Sequence, residues 1–310
     1  MATRHQPMVR SGIAASLSSS AMFALLAYYA DILTTRFGPW EIFGWRLLLT
    51  FPALTVILLA TQRGPRIWRF LQHIWDVRWK IPVLLLNAVL LIIQMVLFTW
   101  APGVGRTVEL SLGYFLMPLV MIVIGRVGFR ETVSRGQAIA TVLAAVGVAH
   151  EIWRAGGLGW PTLVVAIGYP AYFVSRRISR MASAAALWCE MGLAVPVSLL
   201  LVASPSSLGH AANPSGIALI LGLGFLSAGA MATYAAAQVW LPFALFGLLA
   251  YLEPVLLVVV AFTLLGEGIT SAELPTYALI WIAVVVLAVD GAIRAGRTKK
   301  RGERWWPDIG

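Results

Sequence analysis

Four ionisable side chains stand inside long apolar stretches of this sequence: Arg46, Glu109, Glu190 and Glu253. A charge at the centre of a membrane-spanning helix costs about 2.5 to 3.5 kcal/mol, so each needs a partner, a water-filled cavity or a function. The chemistry open to them is recognition of charge, because a guanidinium can hold a carboxylate and a carboxylate can hold an amine or a proton. Arg46 shares a helical face with Thr50 and Ala53. Glu190 stands where the second half of the chain should place its equivalent of Arg46, and two readings follow: a buried ion pair that fixes how the halves pack, or a clamp on a charged solute. Glu109 precedes Tyr114 by five residues, and a carboxylate snorkelling to the surface is its bland alternative. Glu253 adjoins Pro254, and a proline leaves an earlier carbonyl without its helical donor, which opens a helix locally. Beside such a break Glu253 could bind an amine or a proton, or hydrogen-bond to a neighbouring helix. Asn87 and Gln94, seven residues apart, share one helix face and could bond to cargo or glue helices together. Trp45, Tyr169 and Trp188 are candidate stacking surfaces, with packing as the alternative.

The elements that must position these residues are membrane spans. Sixty per cent of the chain is hydrophobic and 12% charged, against about a quarter charged in a soluble domain. A span needs about 20 apolar residues. Ten such stretches can be marked, near 11–33, 40–60, 81–101, 107–126, 135–152, 158–175, 182–203, 215–238, 243–265 and 273–293. Short joins such as Arg63-Gly64-Pro65-Arg66 and Ser204-Pro205-Ser206-Ser207 read as surface turns. The longest, about 61–80, carries Trp68, Trp75 and Trp79 among basic residues and reads as an interfacial helix. The start of the chain reads as an uncleaved first span, since Tyr28, Tyr29 and Asp31 follow its apolar run where a cleavage site would need small residues.

The net charge of +10 follows the membrane and carries no nucleic-acid signal. With ten spans and the N-terminus inside, nineteen of the 23 Lys and Arg fall in inner segments, three (Arg36, Arg106 and Arg154) in outer ones, and Arg46 within a span. That is the positive-inside pattern of a multi-pass membrane protein with both termini cytoplasmic.

Pro118 and Glu131 are thirteen residues apart, as are Pro254 and Glu267. A shift of 136 superposes the two pairs, and a shift of 144 carries Arg46 onto Glu190 and Pro52 onto Pro196. The chain reads as one unit written twice, with five-helix repeats over 1–153 and 154–294 and a basic cytoplasmic tail over 295–310. Because five is odd, the second copy is inverted. Glu131 lies among Arg126, Arg130 and Arg135, whereas Glu267 has only Glu273 for charged company, which agrees with opposite sides. Both glutamates read as helix-end markers, and Pro118 and Pro254 as helix breaks. Inverted repeats point to transport by alternating access around a site at the repeat interface.

The segment Glu109-Leu110-Ser111-Leu112-Gly113-Tyr114-Phe115, followed by Pro118-Leu119-Val120 and Glu131, resembles the central signature of the RarD-type branch of the drug/metabolite transporter superfamily, also called the EamA family. Glu41 and Arg46 resemble that family's acid and arginine in the second span, and Tyr251, Pro254, Gly266 and Glu267 its second-copy signature. The resemblance implies a ten-helix permease of the bacterial inner membrane made of two inverted repeats, with small-molecule cargo and membrane lipid as partners, a homodimer left open and no nucleic acid. Met117 stands where the family tends to have Asn, and Ala250 where it has Gln, so cargo identity does not transfer.

An enzyme is disfavoured: His5, His73, His150 and His210 are scattered without metal-ligand spacing, and there is no phosphate loop. Cys189 is alone and reads as a packing residue. No cofactor or metal is expected. The functional expectation is a secondary transporter exporting a small amphipathic metabolite, such as an amino acid or a drug-like compound, with a channel-like uniporter as the alternative.

Overall fold

The computed structural model describes residues 5–61, 64–104, 106–260, 263–264 and 271–301, and every described element is helical. The helices are α1 (His5–Thr34), α2 (Pro39–Ala60), α3 (Gly64–Asp76), α4 (Lys80–Gly103), α5 (Thr107–Val127), α6 (Arg135–Arg154), α7 (Trp160–Ile178), α8 (Ala184–Val202), α9 (Pro205–Ala212), α10 (Pro214–Trp240), α11 (Phe243–Leu249), α12 (Leu252–Val260) and α13 (Leu274–Arg301). Nine segments among the described residues are long and apolar enough to cross a membrane, α11 and α12 together counting as one of them. The tenth span is α7, whose 19 residues are less apolar because Arg176 and Arg177 occupy its last turn. It packs within the bundle against α4 and α5.

Two joins that read as turns begin helices instead. Gly64 and Pro65 open α3, and Pro205 takes the first position of α9 behind a Ser204 cap. Proline is at home there, since its missing amide is one the first helical turn leaves unpaired anyway. Within the segment 61–80, expected to form an interfacial helix, α3 buries Ile67 and Ile74 and exposes Trp68 and Trp75, while residues 62 and 63 lie outside the described residues.

The packing obeys the inverted repeat. Matching α1, α2, α4, α5 and α6 with α7, α8, α10, α11–α12 and α13, the contact of α1 with α10 has its counterpart in α7 with α4. Likewise α2 with α10 mirrors α8 with α4, and α5 with α7 mirrors α11 and α12 with α1. Three helix pairs face their own counterparts across the pseudo-twofold axis: α2 with α8, α5 with α11, and α6 with α13. Small residues allow the close approaches: a Cβ on Gly44 would lie 2.8 Å from Leu201, one on Gly192 3.0 Å from Phe51, and one on Gly147 3.2 Å from Leu279.

Candidate functional site

Arg46 enters the bundle seven positions into α2, and its guanidinium Nε donates to Ser227 Oγ of α10 at 3.2 Å. The same serine bonds to Thr50 Oγ1 at 2.9 Å, and Thr50 in turn donates to the Arg46 carbonyl at 2.6 Å. This small ring fixes the direction of the arginine. Its electrostatic neighbours are Tyr169 of α7, Tyr114 of α5 and Glu253 of α12. Tyr114 and Tyr169 pack with ring centres 5.8 Å apart. Tyr234 of α10 completes the wall, with Glu253 and Tyr169 as its own charged and polar neighbours. An aromatic series runs on from Tyr169 through Phe173 to Tyr234 and Phe246, with steps of 5.9, 5.7 and 5.0 Å. Arg46, Tyr114, Tyr169, Tyr234 and Glu253 lie deep among the helices, yet each keeps some accessible surface. One cation, one carboxylate and three phenols, contributed by both repeats, are thus gathered in the bundle interior without being fully covered.

Glu253 joins this group from a broken helix. The span from 243 to 260 is interrupted at Ala250 and Tyr251, where tightened bonds run from the Ala250 amide to the Gly247 carbonyl at 3.1 Å and from the Tyr251 amide to the Leu248 carbonyl at 3.2 Å. Pro254 follows within the first turn of α12. Pro118 does not act as its repeat partner does, because α5 runs unbroken from Thr107 to Val127. One missing amide is the only loss there, and α5 is held along its length by α7 and α11.

Glu190 is not the partner of Arg46. Its Oε2 accepts from Arg176 Nη1 at 3.0 Å and from the Tyr172 hydroxyl at 2.7 Å, and Arg176 also bonds to that hydroxyl and to the Ser183 carbonyl at 2.8 Å. The reason is register. Helices α2 and α8 run antiparallel, with Gly44 against Leu201, Phe51 against Gly192 and Thr55 bonded to Trp188 at 2.7 Å. Repeat-equivalent residues therefore meet only near Thr50 and Ala194, and the offset of Arg46 from Glu190 is about 12 Å along the helix axis at 1.5 Å per residue.

The remaining candidates are dispersed. Glu109 accepts from Arg106 at 3.3 Å at the end of α5, inside a surface cleft of about 450 Å³ shared with Arg154 and Gly159, away from Arg46. Gln94 donates to the Val164 carbonyl at 3.0 Å and presses on Gly168, next to Tyr169. Asn87 is fully buried, and neither its Oδ1 nor its Nδ2 has a protein partner. Trp45 and Trp188 are tied by their indole nitrogens to Ser207 at 2.8 Å and Thr55 at 2.7 Å, so they brace helices, whereas Tyr169 stands near Arg46. Gly266 and Glu267 lie outside the described residues.

Sequence reading overlooked Arg176 and Tyr234. Arg176 was counted among topology charges, although it sits one helical turn beyond Tyr172, a spacing that marks a shared face. Tyr234 carries no signal beyond being a lone phenol in an apolar stretch.

A multi-pass bundle of two inverted five-helix repeats, with charges from both gathered in its interior, is the architecture of a membrane transporter. The family described as "EamA-like transporter family" matches residues 10–150. The "Chloramphenicol-sensitive protein RarD" of Pseudomonas aeruginosa is 35% identical over 94% of this chain and 98% of its own. An "Uncharacterized transporter PM1281" of Pasteurella multocida is 33% identical over 93% and 99%, and the "Protein RarD" of Escherichia coli 28% identical over 84% and 88%. A solved crystal structure 19% identical to this chain superposes with a TM-score of 0.62, covering 90% of this chain and 97% of the other, and shares its fold. The chain belongs to the RarD-like branch of the EamA, or drug/metabolite transporter, family.

Proposed function

We propose that this chain is a secondary transporter of the bacterial inner membrane, with both termini cytoplasmic, that exports a small amphipathic metabolite bearing a carboxylate and an amine by alternating access. The single observation that supports the reading is the proximity of Arg46 and Glu253, from different repeats, to each other and to Tyr114, Tyr169 and Tyr234. In this reading Arg46 holds the carboxylate of the cargo, Glu253 its amine, and the phenols its apolar body. Opposite charges on opposite repeats give a cargo bound to both the means to draw the halves together, which is what a rocking cycle requires. Gln94 borders Tyr169 and supports the floor of the cavity; Asn87, Glu109 and Glu190 serve elsewhere. Repeats over 1–153 and 154–294 are the two moving bodies.

The test compares metabolites in the medium of cells expressing the protein, the Arg46→Ala variant or the Glu253→Gln variant. The expected result is accumulation of zwitterionic compounds outside cells with the unaltered protein, lost in both variants. If the extracellular profile is the same for all three, the reading fails.

A further inference from the structure

At one end of the bundle the two repeats are joined through a buried carboxylate. Glu131, in the link between α5 and α6, is 6% exposed. Its Oε1 accepts from the Phe243 amide at 2.9 Å and its Oε2 from the Ala244 amide at 2.8 Å, and Oε1 also pairs with Arg177 at 2.7 Å. Glu131 belongs to the first repeat; α11 and Arg177 belong to the second. The Arg177 guanidinium lies 4.1 Å from the centre of the Phe129 ring, and Phe129 packs on Phe243 at 5.2 Å. Just beneath, a Cβ on Gly125 would lie 3.0 Å from Ala244, and one on Gly247 2.7 Å from Met121. The face carrying Arg126, Arg130 and Arg180 is thus sealed by contacts that join one repeat to the other.

Exact twofold symmetry would repeat this seal at the opposite face. Shifting by 136 turns the approach of Gly247 to Met121 into an approach of Ser111 to Leu257, on α5 and α12. That approach is not made to the same degree: among the described residues α12 packs chiefly on α1 and also on α13, while α5 packs on α11, α7 and α6. Leu257 keeps accessible surface where Met121 has none. The span of α11 and α12 is thus packed unequally on α5 at its two ends, and such a difference between faces is what an alternating-access protein shows in a single state.

We propose that Glu131 is a gating residue: its carboxylate locks the basic-face ends of the two repeats together in the state seen here, and must release α11 before the central cavity can open to that face. The proposal rests on the transporter reading and adds to it the identity of the lock and the state captured. Charge-assisted bonds to two amides and a guanidinium are individually strong but all end on one side chain, so a single release frees the interface. The lock differs from a plain packing contact in one respect: losing it must move the opposite face as well.

The experiment measures nitroxide distances by pulsed electron paramagnetic resonance in a Cys189→Ala background reconstituted in lipid. One label pair, at the exposed Val127 and Val239, reports the basic face; the other, at Val108 and Val259, reports the opposite face. In the parent protein the first pair gives a dominant short population. With Glu131→Ala, Glu131→Gln or Arg177→Met, that pair gains a longer population and the second pair gains a shorter one. Unchanged distances in the variants that fold overturn the proposal. So does lengthening at the basic face without shortening at the other, because Glu131 is then only structural. No cargo enters these measurements, so a metabolite screen that fails leaves this result standing on its own.

Discussion

The hydroxyl of Tyr251 donates to the carbonyl oxygen of Phe115 at 2.8 Å, and the two residues are 136 positions apart, the spacing of the repeat itself. They occupy the same place in the two copies. In an inverted repeat, equivalent residues touch only on the pseudo-twofold axis, so this bond marks where the axis crosses α5 and the break between α11 and α12. Thr50 and Ala194 mark it on α2 and α8. Because an axial contact is shared by both repeats, it stays near the pivot while off-axis contacts open and close. The Tyr251→Phe variant removes one buried hydrogen bond at that pivot. Its expected cost is about 1 kcal/mol, seen as a lower thermal midpoint in detergent, with the two-faced distance changes of the cycle retained.

The buried pair of Arg176 and Glu190, 1% and 0% exposed, makes a sharper prediction. Removing one partner strands the other charge in an apolar interior at about 3 to 5 kcal/mol, whereas replacing both leaves neither stranded. Glu190→Leu and Arg176→Met should each lower the thermal midpoint strongly, and the double variant should recover most of the loss. If the double variant is as unstable as the sum of the singles, the pair does not act as a unit.

Much of this architecture was legible in the sequence, because each span is a long apolar run and the basic residues count the crossings. The repeat was legible through Pro118, Glu131 and their counterparts. What the sequence hid was register. Equivalence of Arg46 and Glu190 suggested a pair, but pairing depends on how far each lies from the axis, and that follows from the register in which Gly44 meets Leu201 and Gly192 meets Phe51. The break at Ala250 was readable from Pro254; the continuity of α5 through Pro118 was not, since it depends on the neighbours that hold the helix. Glu131 looked like a helix-end marker because its partners, Phe243, Ala244 and Arg177, are between 46 and 113 residues away.

Asn87 is fully buried with both ends of its amide unpaired by protein. Burying an amide without a hydrogen bond costs about 1 to 3 kcal/mol by protein mutational data. Asn87→Leu should therefore raise the thermal midpoint. A lower midpoint would mean that water satisfies the amide, since displacing a well-bonded water removes stability.

Gly113 tests how closely the cavity wall depends on helix spacing. A Cβ there would lie 2.6 Å from Val165 Cβ and 2.9 Å from the Thr162 carbonyl oxygen, so Gly113→Ala forces α5 away from α7. Overpacking of this kind costs about 1 to 3 kcal/mol. The consequence for function should be larger than for stability, because Tyr114 adjoins Gly113 and its ring meets Tyr169 of α7 at 5.8 Å. Parting those helices parts the two phenols beside Arg46. Gly209→Ala is the control: a Cβ there meets nothing within 4 Å, and alanine favours a helix. Efflux of whatever compound the metabolite screen identifies should fall at least tenfold in Gly113→Ala and stay at the parent rate in Gly209→Ala, a factor of ten being about 1.4 kcal/mol. Equal rates in both would show that the spacing of α5 and α7 is not what shapes the cavity.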